Sequence, residues 1–562
     1  MDLQKWKDRI LYYPGSLLLL AWLPAYWKIK RDLENPLRVQ QEKLMHILRS
    51  NQHTEYGRKY RFQEIKSIRQ FQEQVPLIKY NAIKDDVYRM TRGEGNILTY
   101  QNPDFFLITS GTTGEPKYIP VTPDFAKEYH SNLSFFNLLR QYPKIAYFNS
   151  TLAIVTTDEG VTPSGLPVGA SSGYLYRTLS RLVQLSYALP YQIFSIEDWD
   201  TKYYTILRMS IEKPIRLLVT NNPSTLIVLA KQAAESQERL LTDLEQGTLD
   251  PQLAIPLPLR RTLERRLRPN PNRARQLRNR LNHQGVKLDP HTLWPDLQAI
   301  SCWVDGPAHF YLPQVKQFYG DTPIHNMGYL ASEGRGSIPL DGDGNEVLAI
   351  HSHFFEFIPT EERFNAEPAV LTCDQLEADK NYYIIFTASN GLYRYLINDV
   401  VKVKGFRKRT PVIQFSYKAG NAFDFTGEKL YETQVELGME QARQNVELPV
   451  VDYTVIPTCG DPPFYRLVVE CEPEVGPKTL DDLVKALESE LIRGNISYAG
   501  KLSSKIIGPL QIMTLPPGTF ENFVKYRIKE EGAHFSHVKI AHLNPSPSFL
   551  GFLKKNSLMS ED

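Results

Sequence analysis

The stretch Ile108-Thr-Ser-Gly-Thr-Thr-Gly-Glu-Pro-Lys117 holds the residue types that grip a polyphosphate. Thr109, Ser110, Thr112 and Thr113 carry hydroxyl donors. Gly111 and Gly114 permit positive φ and leave room for a ligand beside the backbone, while Lys117 adds a mobile cation. Successive backbone N–H groups in such a loop form an anion-binding nest. The pattern differs from the G-x-x-x-x-G-K-[ST] nucleotide loop, where Lys follows the second glycine directly; here Glu115 and Pro116 intervene. An unliganded Ser/Thr/Gly surface loop is the competing reading, and the length of the matching string argues against it.

Other chemistries find less support. The 12 histidines and four cysteines form no H-E-x-x-H or paired-cysteine metal pattern, and no G-x-S-x-G elbow is present. Cys302, Cys373, Cys459 and Cys471 are scattered, so no disulfide framework is expected and a reducing cytoplasm fits. Sixty-five basic against 63 acidic residues argue against global nucleic-acid binding. Residues 260–280 carry nine arginines against Glu264 alone, but without interleaved aromatics for stacking bases they read as a solvated helix.

The loop must be positioned by elements around it. With 562 residues the chain exceeds a single core, so two or more domains are expected. Phe105-Phe-Leu-Ile108 reads as a buried strand feeding the loop. Thr122-Pro-Asp then opens a helix, with Thr as the N-cap and Pro at the first position, running on towards Arg140. Further strands are predicted at 152–155, 215–220, 299–304 and 324–327, with a helix at 311–319 between the last two. Downstream, strands at 450–456 and 465–471 precede a helix at 480–493. Thr479-x-x-Asp482 reads as its capping box and Leu480, Leu483, Leu487 and Leu491 as its apolar stripe. Near the start, residues 16–24 are apolar and follow Lys5, Lys7 and Arg9. They are too short to span a bilayer. They read as a buried helix, with weak membrane-surface contact as the alternative.

Three blocks together resemble one family. Thr109–Lys117 resembles the phosphate loop of acyl-adenylate-forming enzymes. Gly328-Tyr-Leu-Ala-Ser-Glu-Gly334 resembles their Tyr-x-x-Ser-Glu element, and Gly391-Leu-Tyr-Arg-Tyr-Leu-Ile-Asn-Asp-Val-Val401 their Tyr-Arg…Gly-Asp-Val-Val element. Over nearly the whole chain the sequence is most similar to the auxin-responsive acyl-acid amido synthetase family, in a bacterial-type form. That resemblance implies an α/β fold: a large N-terminal adenylate-forming domain (residues 1–425) of helix-flanked sheets with a β-barrel-like part, then a smaller hinged α+β domain (426–562).

The resemblance also implies an activity and its residues. A carboxylic acid is adenylated by ATP, and an amine, such as that of an amino acid, then displaces AMP to form an amide. Tyr329 would flank the adenine, with Gly306 letting a loop approach it. Ser332 would sit at the α-phosphate, and Glu333 would hold Mg2+ as a hard oxygen donor. Asp399 has the two acceptors that vicinal ribose hydroxyls require. Relatives have Gly before it; Asn398, which tolerates left-handed φ, stands here. Arg394 could pair with Asp399, reach the phosphates or be structural. Tyr174, Tyr176 and Arg177 fall where relatives build part of the acyl pocket, and suit an acid with an aromatic or apolar body; core packing is the competing reading. Gly532–Ile540 resembles the element bearing the family's mobile lysine, which makes Lys539 the candidate although the following Pro-Arg is replaced by Ala541-His542. Lys429 in the hinge competes. Small-molecule substrates, a monomer or homodimer and no nucleic-acid partner are expected. Two alternatives stay open: an acyl-CoA ligase with a thiol acceptor, and a degenerate non-catalytic binder of nucleotide or acyl ligand.

Overall fold

The computed structural model describes residues 19–559, apart from 110–116, 130–132, 285–286, 342–343, 345, 363–366, 419–421, 424–427, 429, 447, 461, 473–474, 504, 506 and 532–539. The chain divides into two compact units, Met1–Ser416 and Tyr417–Asp562.

The first unit holds three larger sheets. In one, Thr151–Ala153, Leu217–Val219, Ala299–Cys302 and Ile324–Asn326 lie side by side and parallel. The first three of these strands are almost wholly buried apolar runs, as parallel strands covered on both faces must be. A second sheet, in the order Lys117–Val121, Phe105–Thr109, Pro167–Gly169, Asp158–Val161, carries the phosphate-type loop. Thr109 pairs with Lys117, the described residues that flank 110–116 in the sequence. The third sheet has six strands, with Asn381–Thr387, Tyr395–Arg407 and Thr410–Lys418 among them. Ile78 is bonded to this sheet at Arg394 and Leu396, which draws the N-terminal approach against it.

The expected helix after the loop is Pro123–Tyr129, and Thr122 Oγ1 accepts the Phe125 N–H at 3.3 Å as its cap. Leu133–Gln141 is helical as well. Residues 19–32 form a helix near the N-terminus, but not the buried one expected: within 19–24, Leu19 and Trp22 are half-buried and the other four are exposed, and residues 16–18 lie outside the described residues. Tyr26 and Leu33 are buried, with Leu19, Trp22 and Ile29 packed against the same core. Among the described residues, no helix is long and apolar enough to cross a membrane.

The second unit is α+β. Val450–Thr458, Phe464–Cys471 and Gln511–Leu515 form its main sheet, flanked by helices that include Glu432–Val446, Pro477–Gly494 and Thr519–Glu531. Leu483, Leu487 and Leu491 are buried as the stripe requires. The capping box is corrected: the helix begins nearly a full turn earlier, with Gly476 as cap and Pro477 at its first position, so Thr479 is already helical. Proline's fixed φ and missing donor suit that first position better than Thr479 suits the cap.

Candidate active site

Two loops at the carboxyl ends of adjacent parallel strands build the centre of the site, the end where ligands bind in open α/β sheets. After Ile324–Asn326 the chain turns at Gly328, whose φ is +79°; a side chain there would meet Ser337 O at 2.9 Å. A small hairpin follows, Leu330–Ala331 against Gly334–Arg335, with Ser332 and Glu333 at its turn. The Tyr329 N–H donates to Ser337 Oγ at 2.8 Å. Its ring lies directly on Gly336, where an added Cβ would come within 2.1 Å of it. On its other side it stacks with Phe415, centroids 5.5 Å apart at 19°.

Tyr329 Oη donates to Asp399 Oδ2 at 2.6 Å, both groups being buried. Burial and the facing carboxylate hold the Tyr329 hydroxyl well above the usual phenol range, so it stays a donor. Asn398 has φ +65°, the left-handed conformation that its residue type tolerates. Gly306, at φ +58°, packs on Phe415, where a Cβ would meet the ring at 2.9 Å. It is thus one ring away from Tyr329. Asp305 beside it accepts from Asn326 Nδ2 and Gln414 Nε2, both at 2.7 Å, which pins this loop between the two sheets.

Glu333 is buried, and its carboxylate adds to burial in raising the hydroxyl pKa of Tyr80, Tyr129, Tyr329 and Tyr395. Asp399 acts on Tyr329 and Tyr395 as well. Tyr80 joins this group to the loop. Its hydroxyl accepts the Tyr118 N–H at 2.9 Å, and Lys117 Nζ stands 5.7 Å from the centre of its ring. The second and third sequence blocks meet directly through Tyr329 and Asp399, and Tyr80 holds the strand that follows the first. Lys117 and Thr109 lie at the base of the loop, Ser332 and Glu333 on the hairpin, and Asp399 on the third sheet.

Ser110, Gly111, Thr112, Thr113 and Gly114 lie outside the described residues, as do Lys429 and Lys539. Arg394 is placed elsewhere. Its guanidinium forms a buried ion pair with Glu356, Nε and Nη2 each 3.0 Å from a carboxylate oxygen, and Nη1 donates to the Gln72 and Val75 carbonyls at 2.7 Å. These bonds belong to the structural alternative; they tie the N-terminal approach to the six-stranded sheet.

Tyr174, Tyr176 and Arg177 share the helix Ser171–Thr178 but present no open aromatic wall. Tyr176 stacks on Tyr187 at 4.3 Å and donates to Leu189 O at 2.6 Å. Tyr174 packs on Phe105 with centroids 5.0 Å apart, and Arg177 pairs with Asp158. The described geometry of these three is core packing and an ion pair.

Sequence reasoning missed Tyr80, Phe415 and Arg335. Arg335, two residues beyond Glu333, is buried, donates from Nε to Tyr129 O at 3.0 Å, and has an Nη1 without a hydrogen-bond partner. Burial lowers its pKa to about 10. No spacing rule announces any of the three, because each reaches the site through the tertiary fold.

A loop with phosphate-binding composition, a buried hairpin carboxylate and a strand-borne Asp lie in a large α/β unit, and a small α+β unit follows; this is the architecture of an acyl-adenylate-forming enzyme. Family models agree: the GH3 family N-terminal domain matches residues 25–324, the central domain 346–418 and the C-terminal domain 433–548. The chain belongs to the GH3 family. Its relatives include a jasmonoyl–L-amino acid synthetase of Oryza sativa subsp. japonica, 26% identical with 93% of this chain and 95% of that one covered. An indole-3-acetic acid-amido synthetase of Arabidopsis thaliana is 24% identical, covering 87% and 89%. The fold matches that of AtGH3.15 acyl acid amido synthetase in complex with 2,4-DB, with a TM-score of 0.82, 21% identity and coverage of 95% and 96%.

Two substitutions separate the roles argued above. Gly336→Ala should displace the Tyr329 ring and weaken ATP binding at least about tenfold in calorimetry, with far-UV circular dichroism unchanged. Arg394→Met should leave Glu356 buried and unpaired, and lower the unfolding free energy by about 3–5 kcal/mol in denaturant titration. Arg394→Met with native stability but lost ATP affinity would return that residue to the nucleotide.

Proposed function

We propose that this enzyme is an ATP-dependent acyl-acid amido synthetase working on a small carboxylic acid and the amine of an amino acid. The observation that supports the reading best is the buried Tyr329–Asp399 hydrogen bond, which joins two of the three sequence blocks in the unit whose second sheet carries Lys117. A carboxylate oxygen of the acid attacks the α-phosphorus of ATP and pyrophosphate leaves with the bonding electrons. The amine nitrogen then attacks the acyl carbon, the C–O bond to AMP breaks, and the proton shed by the amine passes to solvent or a nearby base.

Within that scheme Asp399 takes the ribose hydroxyls, in exchange with or beside the Tyr329 hydroxyl, and Tyr329 flanks the adenine across Gly336. Lys117 and the backbone N–H groups of 109–114 take the phosphates, with Ser332 at the α-phosphate. Arg335, with a buried donor to spare, adds positive potential behind them. Among the described residues no cluster of three or more His, Cys, Asp or Glu forms a protein cage for a metal, so Mg2+ would be held by the buried hard-oxygen donor Glu333 together with phosphate oxygens. The ion would be held there and would neutralise phosphate charge.

Residues 426–562 are proposed as the mobile domain, bringing Lys539, or Lys429 in its place, to the adenylate. Jasmonate and indole-3-acetate, acids of the named relatives, guide the choice of test compounds. All four cysteines are free, which suits a cytoplasmic enzyme.

Incubation with ATP, magnesium, an acid panel and the common amino acids should yield an acyl-amino-acid amide by mass spectrometry. A product only with coenzyme A would transfer the protein to the thioester-forming ligases. Glu333→Gln should cut adenylation about 10²-fold or more and raise the magnesium needed for half-maximal rate. An unchanged metal response would remove Glu333 from that role.

A further inference from the structure

The helix of residues 19–32 is apolar on two faces. One face is spent on the core, through Tyr26, Leu33 and the partly buried Leu19, Trp22 and Ile29. Tyr26 fixes it further: its hydroxyl donates to Asp341 at 2.7 Å and accepts from Arg140 Nη1 at 2.8 Å. The other face carries Leu20, Leu23 and Trp27, spaced i, i+3, i+7, with Leu20 66% and Trp27 60% exposed. A helix held this firmly does not expose a leucine and a tryptophan by fraying.

The same stripe continues, one turn on, into Lys30 and Arg31. Arg407 and Lys408, at the turn into the strand Thr410–Lys418, complete a groove of about 380 Å³ lined also by Trp27 and Leu33. The cations Lys30, Arg31, Arg407 and Lys408 of this groove meet three carboxylates, two of which are shared with the further cations Arg38 and Arg140. Asp341 is shared by Lys30 and Arg407 at 3.1 and 2.6 Å, Glu34 pairs with Lys408 at 2.9 Å, and Asp32 lies 3.5 Å from Arg31. Positive charge is left in excess.

We propose that the Leu20–Leu23–Trp27 stripe and the Lys30, Arg31, Arg407, Lys408 cluster at its end dock this enzyme on an anionic phospholipid surface. Leucine side chains enter the acyl boundary, the tryptophan takes the headgroup level and the cations meet lipid phosphates. The charge argues against a second copy as occupant, since two such surfaces would repel each other. Attachment is peripheral: among the described residues no helix can span a bilayer. A lipophilic acid dissolved in the same membrane would then be delivered close to its enzyme.

The test is flotation of the full-length protein with vesicles of phosphatidylcholine alone or mixed with phosphatidylglycerol. Binding should occur to the mixed vesicles, fall as salt rises, and drop at least about tenfold in Trp27→Ser, with binding to neutral vesicles weak. Lys30→Gln combined with Arg31→Gln should flatten the salt dependence. Amide synthesis on a water-soluble acid should stay unchanged in both variants, which shows that they fold. No binding to either vesicle, or binding indifferent to Trp27→Ser, would overturn the proposal. So would a dimer in sedimentation that Trp27→Ser dissolves, since the stripe would then serve a second copy.

Discussion

Asp399 is a carboxylate taken almost wholly out of water, and such a group persists only where donors meet it. One donor is the Tyr329 hydroxyl at 2.6 Å. For that bond to form, the Tyr329 ring needs a flat seat, which Gly336 provides by having no side chain, and a lid, which Phe415 provides by stacking. Phe415 in turn rests on Gly306, and the loop around Gly306 is pinned through Asp305 to Asn326 and Gln414. A single hydrogen bond thus explains why glycines stand at 306 and 336, and why loops from two parallel strands meet a strand of another sheet there.

Around that seat lie two buried carboxylates, Glu333 and Asp399. Burial keeps the Tyr329 and Tyr395 hydroxyls, on which both Glu333 and Asp399 act, protonated and neutral. Lys117 enters from the loop side and Arg335 from behind the hairpin. Arg394 contributes by holding, with left-handed φ of +49° and an ion pair to Glu356, the junction from which Tyr395 and Asp399 set out. The cost of burying that pair is returned as position, since Ile78 and hence Tyr80 are bonded to the same junction.

The parts legible in the sequence were those whose physics is local. The strand into the loop, the Thr122 cap and the leucine stripe at 483, 487 and 491 each follow from spacing within a few residues, whereas the blocks holding Glu333, Asn398 and Asp399 stood out only by their resemblance to a family. The start of the Pro477–Gly494 helix was misread because a capping-box pattern and an N1 proline lay two residues apart and the proline prevailed. Glu356 as the partner of Arg394 was illegible, for the two are 38 residues apart and neither spacing nor composition links them. Tyr174 and Tyr176 show the same limit from the other side. An aromatic cluster reads alike as a pocket wall or as core, and its packing against Phe105 and Tyr187 is a tertiary fact that no local pattern carries.

The central claim is that this constellation activates a carboxylic acid on the α-phosphate of ATP. Acid-dependent exchange of pyrophosphate into ATP, across a panel that includes jasmonate, indole-3-acetate and simple aromatic and fatty acids, tests it most directly. Exchange with one class of acid, absent without acid and abolished in a folded Asp399→Ala protein, is the predicted result. Tight ATP binding with no exchange for any acid would contradict it and leave a nucleotide binder that has lost its chemistry.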